Sequence, residues 1–306
     1  MKILRAGLIA LATLVVVLPT AAYVYAYVLP KGPELTVPTA TPDGKASFVI
    51  RAHDGGQHRT IRVWTYKPPG WSEDGNVLFV MHGMSRNAEE YLDTWIEAAN
   101  RKTTLLIAPE FDNPFYRYVT NDYQDGNLFT ALGLANPRSE WAYATIERIV
   151  DHLNDANRWS IAGYDMFGHS AGGQFVQRMV MLAPESRLRT GIAANSGSYT
   201  FPDADINFPY GLKGVDTSAI DMGAAFRRKL IILLGEKDAD TKQGVLDQSQ
   251  PAMQQGPHRL ARGQAFFAAA HAAAAAQGLP FEWRIEIVPG VGHENRKMAA
   301  AAADLL

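Results

Sequence analysis

Gly168-His169-Ser170-Ala171-Gly172 joins an apolar run of strand length, residues 159–167, to residues 173–182, whose apolar side chains recur at helical spacing. A strand that turns sharply into a helix leaves the corner residue projecting off the end of the sheet, and here that residue is a serine. The flanking glycines suit a strained turn in which a Cβ would collide. The helix N-terminus behind the serine favours negative charge developing in front of it. A serine hydroxyl becomes a useful nucleophile only when a base takes its proton, and that base is normally a histidine oriented by a carboxylate.

The corner resembles the nucleophile elbow of α/β-hydrolases, in which the partners follow the serine in the order acid, then histidine. Only His258, His271 and His293 lie downstream of Ser170. His271 falls mid-helix among alanines and His258 opens a helix. His293 follows Val288-Pro289-Gly290-Val291-Gly292, a glycine-bearing loop directly after the last strand, and is the expected base. The acid is expected after the preceding strand. Residues 229–235 end in Glu236-Lys237-Asp238-Ala239-Asp240. Gly235-x-x-Asp238 makes Asp238 the first choice, with Asp240 its rival and Glu236 more remote.

An acyl-transfer oxyanion needs backbone N–H donors already aimed at it. One is expected from Ala171, the residue after the serine. The other is expected from the loop after the third strand, Met81-His82-Gly83-Met84-Ser85-Arg86-Asn87, with Met84 the first choice and Ser85 the second. His82 and His169 are expected to shape their loops rather than to react.

Taken together, residues 82–88, Gly168–Gly173, Gly235-x-x-Asp238 and Gly292-His293 resemble the polyhydroxybutyrate depolymerase and feruloyl esterase branch of the α/β-hydrolases, over a span from about Phe48 to the end. The resemblance implies a serine hydrolase acting on carboxylic esters through an acyl-enzyme. Secreted members of that branch often carry cysteine after the His-Gly; this chain has Met84 there and no cysteine at all. No added substrate-binding domain is legible, so a small or oligomeric soluble ester is the implied substrate. A serine peptidase or amidase with the same machinery is the alternative reading, and a non-catalytic surface binding module a third.

Two long aromatic segments follow strands at the end where the serine sits. One runs from Glu110 through Phe115, Tyr116 and Tyr118 to Phe129, and the other from Ser196 through Tyr199 and Phe201 to Leu212. Phe115, Tyr116, Tyr199 and Phe201 are candidates to line a substrate pocket, or else to pack these loops onto the body. Asp203-Ala-Asp205 and Asp238-Ala-Asp240 lack the spacing of a calcium loop, and neither metal nor cofactor is expected.

The elements that must position these residues alternate. Strands are expected at 46–51 and 59–66, joined by a turn over 53–57, then at 76–81, 103–108, 159–167, 190–194, 229–234 and 281–288. Helices are expected at 88–100, 139–153, 173–182, 259–277 and 296–305. Wholly apolar strands imply a sheet covered on both faces. The expectation is an α/β-hydrolase fold with a mostly parallel sheet of about eight strands and helices on both faces.

The chain has 306 residues, is 47% hydrophobic and carries a formal charge of −2. This charge, without a basic stripe, argues against nucleic acid as a partner. The absence of cysteine excludes disulfides, thiolate metal sites and a thiol nucleophile. Lys2 and Arg5 precede an uncharged run over 6–29, which reads as a signal peptide or a membrane anchor. Thr20-Ala21-Ala22 favours cleavage, while the length of the run favours attachment to a membrane through residues 6–29. Either places the catalytic part outside the cytoplasm. Residues 30–45, rich in Pro, Gly and Thr, read as a linker to a single catalytic domain over 46–306.

Overall fold

The computed structural model describes residues 13, 15–24, 32–53, 59–112, 119–130, 132–241 and 246–306. The expected turn over 53–57 lies almost wholly outside them, as do Phe115 and Tyr116. Eight strands form one sheet among the described residues: β1 (Gly44–Arg51), β2 (Thr60–Lys67), β3 (Asn76–Met81), β4 (Thr104–Glu110), β5 (Tyr164–His169), β6 (Leu188–Ala194), β7 (Lys229–Gly235) and β8 (Arg284–Val288). Their spatial order is β1-β2-β4-β3-β5-β6-β7-β8. β2 pairs antiparallel with both β1 and β4, and every other pairing is parallel. The sheet is the one expected for an α/β-hydrolase. Gly44 and Lys45, read as linker, pair with Lys67 and Tyr66 and so belong to the first strand.

The apolar runs of the central strands have a direct consequence. Alternate side chains face opposite ways, so Val77, Phe79 and Met81 of β3 enter one apolar layer while Leu78 and Val80 enter the other. The first layer is closed by α3 (Ala142–Asn157), α4 (Ala171–Leu182) and α7 (Arg259–Ala276). The second is closed by α1 (Ala88–Asp93), α2 (Ile96–Lys102) and α8 (Asn295–Ala303). Two short helices, α5 (Met222–Arg227) and α6 (Gln250–Gln255), lie in connections with too little periodicity to announce them.

The single helix expected at 88–100 is two. The Thr94 hydroxyl donates to the Tyr91 carbonyl at 2.7 Å. Trp95 turns inward, 2% exposed, with its ring 4.9 Å from that of Phe167. The break leaves Tyr91 on α1 directed at the sheet end. Residues 15–23 are helical, and no helix among the described residues is long and apolar enough to cross a membrane.

The loop after β3 is held by an aromatic and cationic stack. Buried His82 accepts the Phe111 N–H at Nε2 (3.1 Å) and donates from Nδ1 to the Gly83 carbonyl (2.9 Å), which defines a neutral ring protonated at Nδ1. Its ring lies 4.6 Å from that of Tyr123, whose hydroxyl donates to the His82 carbonyl at 2.8 Å. The Arg86 guanidinium lies over the Tyr123 ring at 4.8 Å and donates to the Phe111 carbonyl. Burial, helped by the Arg86 charge, pushes His82 down to about 3.

A histidine kept neutral in the fold is protonated first in the unfolded chain, so it stabilises the fold above its unfolded value and stops doing so as pH falls. His169, also fully buried and lowered well below its ordinary value, acts the same way. Urea unfolding midpoints are therefore expected to be flat above about pH 7.5 and to fall from about pH 6.5 to 5, with each ring contributing up to about 1.4 kcal/mol per pH unit. His82→Gln should remove about half of that slope. A flat profile between pH 7 and 5 in the wild type would mean that both rings take up protons while folded.

Candidate active site

Ser170 stands alone between the end of β5 and the start of α4, with φ 60° and ψ −115°. Side chains adopt this backbone only under constraint, and the neighbours supply it. The Ser170 N–H donates to the Ala194 carbonyl at 2.9 Å, while its carbonyl accepts from Gln174 N at 3.1 Å. A Cβ on Gly168 would lie 2.2 Å from the Gly172 carbonyl oxygen, and one on Gly172 would lie 2.2 Å from that of Met81. Both glycines are therefore required for α4 to start so close to β5 and β3.

His293 reaches the serine from the loop after β8. The Ser170 hydroxyl lies 3.1 Å from Nε2, and Nδ1 lies 2.8 Å from Asp238 Oδ2. The Asp238 side chain is 0% exposed and that of His293 19% exposed. Asp240, two residues on, is exposed. The structure thus brings Asp238, not Asp240, to the ring.

The histidine loop is fastened to the loop after β7. Gly290 N–H donates to Glu236 Oε2 (2.7 Å), Lys237 N–H to the Val291 carbonyl (2.8 Å) and Glu236 N–H to the Val288 carbonyl (3.0 Å). Glu236, the remotest candidate acid, anchors this loop. Asn195 adds a fourth tie. Its amide donates to the Gly292 carbonyl at 2.9 Å and accepts from Gly235 N at 2.8 Å. It sits at φ 45°, a conformation asparagine tolerates better than most residues.

His169 is buried beside the site. Its ring stacks 4.5 Å from that of His293, and its Nδ1 lies 3.2 Å from the Tyr91 hydroxyl. Tyr91 and Asn195 were not singled out from the sequence. Asn195 left a faint signal, an Asn-Ser-Gly directly after a buried strand; Tyr91 left none beyond a place on an amphipathic helix.

Gly83 lies against the serine: a Cβ there would stand 3.8 Å from Ser170 Cβ. This sets Gly83 beside the serine, with Met84 next along the loop. On the other side Ala171 opens α4, where an N–H has no partner within the helix. A cleft of about 660 Å³ opens over these groups. Gly83, Met84, Tyr91, Ser170, Arg259 and His293 line it, together with the charged Glu90, Asp93 and Arg296. Tyr199 and Phe201 do not line it. Tyr199 is fully buried and stacks 4.7 Å from Phe266, and Phe201 meets the same ring edge-on at 5.8 Å. Their aromatic surface secures the loop after β6 to α7. Among the described residues no group of three acidic or imidazole side chains is placed to hold a metal ion.

No family model matches the chain, and no curated protein matches it. Solved structures do. Poly(aspartic acid) hydrolase-1 from Sphingomonas sp. KT-1 is 36% identical, with a TM-score of 0.81, over 87% of this chain and 99% of that one. LpqC, a poly(3-hydroxybutyrate) depolymerase from Bordetella parapertussis, is 35% identical, with a TM-score of 0.80, over 86% and 89% of the two chains. An S-formylglutathione hydrolase from Agrobacterium tumefaciens, at 15% identity and a TM-score of 0.53 over 89% and 97%, shares the fold. With this degree of identity across nearly the whole length of the first two, the chain belongs to the α/β-hydrolases, in the poly(3-hydroxybutyrate) depolymerase-like branch, and is a hydrolase.

Proposed function

We propose that this protein is a serine esterase that cleaves carboxylic esters through an acyl-enzyme. The observation that carries the reading is the unbroken line from Ser170 Oγ through the His293 ring to buried Asp238, at 3.1 and 2.8 Å, with Ser170 and His293 lining the cleft.

In this reading His293 Nε2 takes the Ser170 proton as Oγ attacks the ester carbonyl. Asp238 holds Nδ1–H, so the ring presents its lone pair to the serine, and the carboxylate steadies the imidazolium that forms. The N–H groups of Met84 and Ala171 receive the oxyanion, aided by the positive end of α4. The tetrahedral adduct collapses as His293 returns the proton to the leaving alkoxide. Water, deprotonated by the same nitrogen, then releases the acid and restores the serine. The basic residues before the apolar run over 6–29 support a catalytic body outside the cytoplasm.

One observation favours amides as a second substrate class: the 36%-identical structure is named for poly(aspartic acid), a polyamide. An amine leaves less readily than an alkoxide and needs a well-placed proton donor.

Initial rates on short- and long-acyl nitrophenyl esters, a feruloyl ester, hydroxybutyrate oligomers and peptide anilides separate the readings. Ester turnover that vanishes in Ser170→Ala supports the esterase, and turnover of anilides alone would move the assignment to an amidase. No serine-dependent turnover across the panel would set aside both and leave a narrower substrate or a binding role. On the best ester, Ser170→Ala and His293→Ala are each expected to lower kcat by on the order of 10³-fold or more. Asp238→Asn should cost on the order of 10³–10⁴-fold with KM little changed, while Asp240→Asn stays within about twofold of wild type. Equal rates for Asp238→Asn and wild type would remove Asp238 from the mechanism.

A further inference from the structure

The acid of the proposed line is buried with half its charge turned away from the histidine. Asp238 Oδ2 meets His293, whereas Oδ1 lies buried without a hydrogen bond. A carboxylate withdrawn from water normally satisfies both oxygens. What faces Oδ1 is the Arg259 guanidinium, with Nη1 3.5 Å away and its side chain only 3% exposed.

Arg259 is the first residue of α7. The Leu260 N–H donates to the Asp238 carbonyl at 3.2 Å, tying the start of this 18-residue helix to the acid's own backbone. The helix start is fixed in turn by Arg262, which donates to the carbonyls of Gly256 (2.9 Å), Gly197 (2.6 Å) and Asp247 (2.8 Å). The guanidinium therefore meets the carboxylate, and the start of α7 the acid's backbone carbonyl, from one rigid support.

We infer that Arg259 is a positioning residue for the proposed reaction: its buried guanidinium is the counter-charge to the Asp238 carboxylate and keeps it turned toward His293. This rests on the esterase reading of the same site. The other groups around the pair supply no competing charge. Tyr199, after β6, is buried and raised above its ordinary value, so it remains a neutral phenol. His169, at the end of β5, is held neutral by burial and by the cations near it. Glu236 is committed to Gly290 N, and Asp240 is exposed. Arg259 thus supplies the side-chain cation facing Asp238 that does not depend on the state of His293.

Arg259→Met and Arg259→Lys test the inference, with circular dichroism as the check on folding. In Arg259→Met, kcat/KM for a short neutral ester should fall at least about tenfold more at pH 6 than at pH 9, because alkali restores the carboxylate that the guanidinium no longer protects. KM should stay within about twofold, and Arg259→Lys should recover most of the acid-side activity. The same displacement toward higher pH should appear in the downfield proton resonance of His293 Nδ1–H. That signal reports the Asp238–His293 bond whether or not the chosen ester is turned over. A loss equal at every pH, a change confined to KM, or a His293 resonance that titrates as in wild type would each overturn the inference. Absence of serine-dependent turnover in the wild type, with the resonance displaced as expected, would overturn the esterase reading and leave the role of Arg259 toward Asp238 intact. If Arg259→Met does not fold, Arg259→Gln takes its place, with the same outcomes expected and the same outcomes overturning the inference.

Discussion

A serine held at φ 60° in the single residue between a buried strand and a buried helix is the constraint on which this structure depends. The conformation is unfavourable for a side-chain-bearing residue, by about 1–3 kcal/mol, and persists because the surroundings leave no alternative. β5 lies at the centre of the sheet, paired on both sides, so the strand cannot shift to relieve the turn. α4 cannot withdraw either, because all twelve of its residues are buried. Gly168 and Gly172 are the local requirement of that closeness. The close approach to the Met81 carbonyl couples it to β3, and so brings the loop that begins at His82 next to the serine.

Around that corner the buried polar groups divide into neutral rings and an aspartate that faces a buried arginine. His82 and His169 are fully buried imidazoles depressed by desolvation, and Tyr91, Tyr123 and Tyr199 are phenols raised by it. Each serves as a dipole or a stacking surface without adding charge. Asp238 is the exception, an aspartate with no exposure at all, and it is faced by the equally buried Arg259. A buried ion pair is a poor source of net stability compared with well-packed apolar groups. Its use here lies in the direction of the carboxylate. The loops after β6, β7 and β8 share the remaining work through Asn195, Glu236 and the 290–292 backbone, so that His293 arrives on a loop with little freedom.

The poorer legibility of the cleft follows from the same division. Tyr199 and Phe201 are aromatic residues on a loop at the serine's end of the sheet, and composition does not distinguish a ring that lines a cleft from one that packs the loop down. The structure turns both toward Phe266. Tyr91 lines the cleft instead, from a short helix that ends where Thr94 and Trp95 interrupt what the sequence pattern presents as one helix. That interruption depends on the Phe167 ring waiting beneath Trp95, a contact between residues 72 positions apart, and local periodicity carries no trace of it.

The sequence by itself determined the elements and the reactive types. Apolar runs specify strands covered on both faces, the small residues about Ser170 specify a tight strand-to-helix corner, and the order Ser170, Asp238, His293 follows from which polar residues end the apolar strands. These are local properties, written in composition and period over a few residues. Only the tertiary structure placed Asp238 rather than Asp240 against the His293 ring, because the two differ in burial and not in chemistry. It alone brought in Asn195, Tyr91 and Arg259, whose partners lie far off along the chain across loops and strands. A hydrogen bond or an ion pair is set by distance in space, and the packing of eight strands and two helix layers sets that distance.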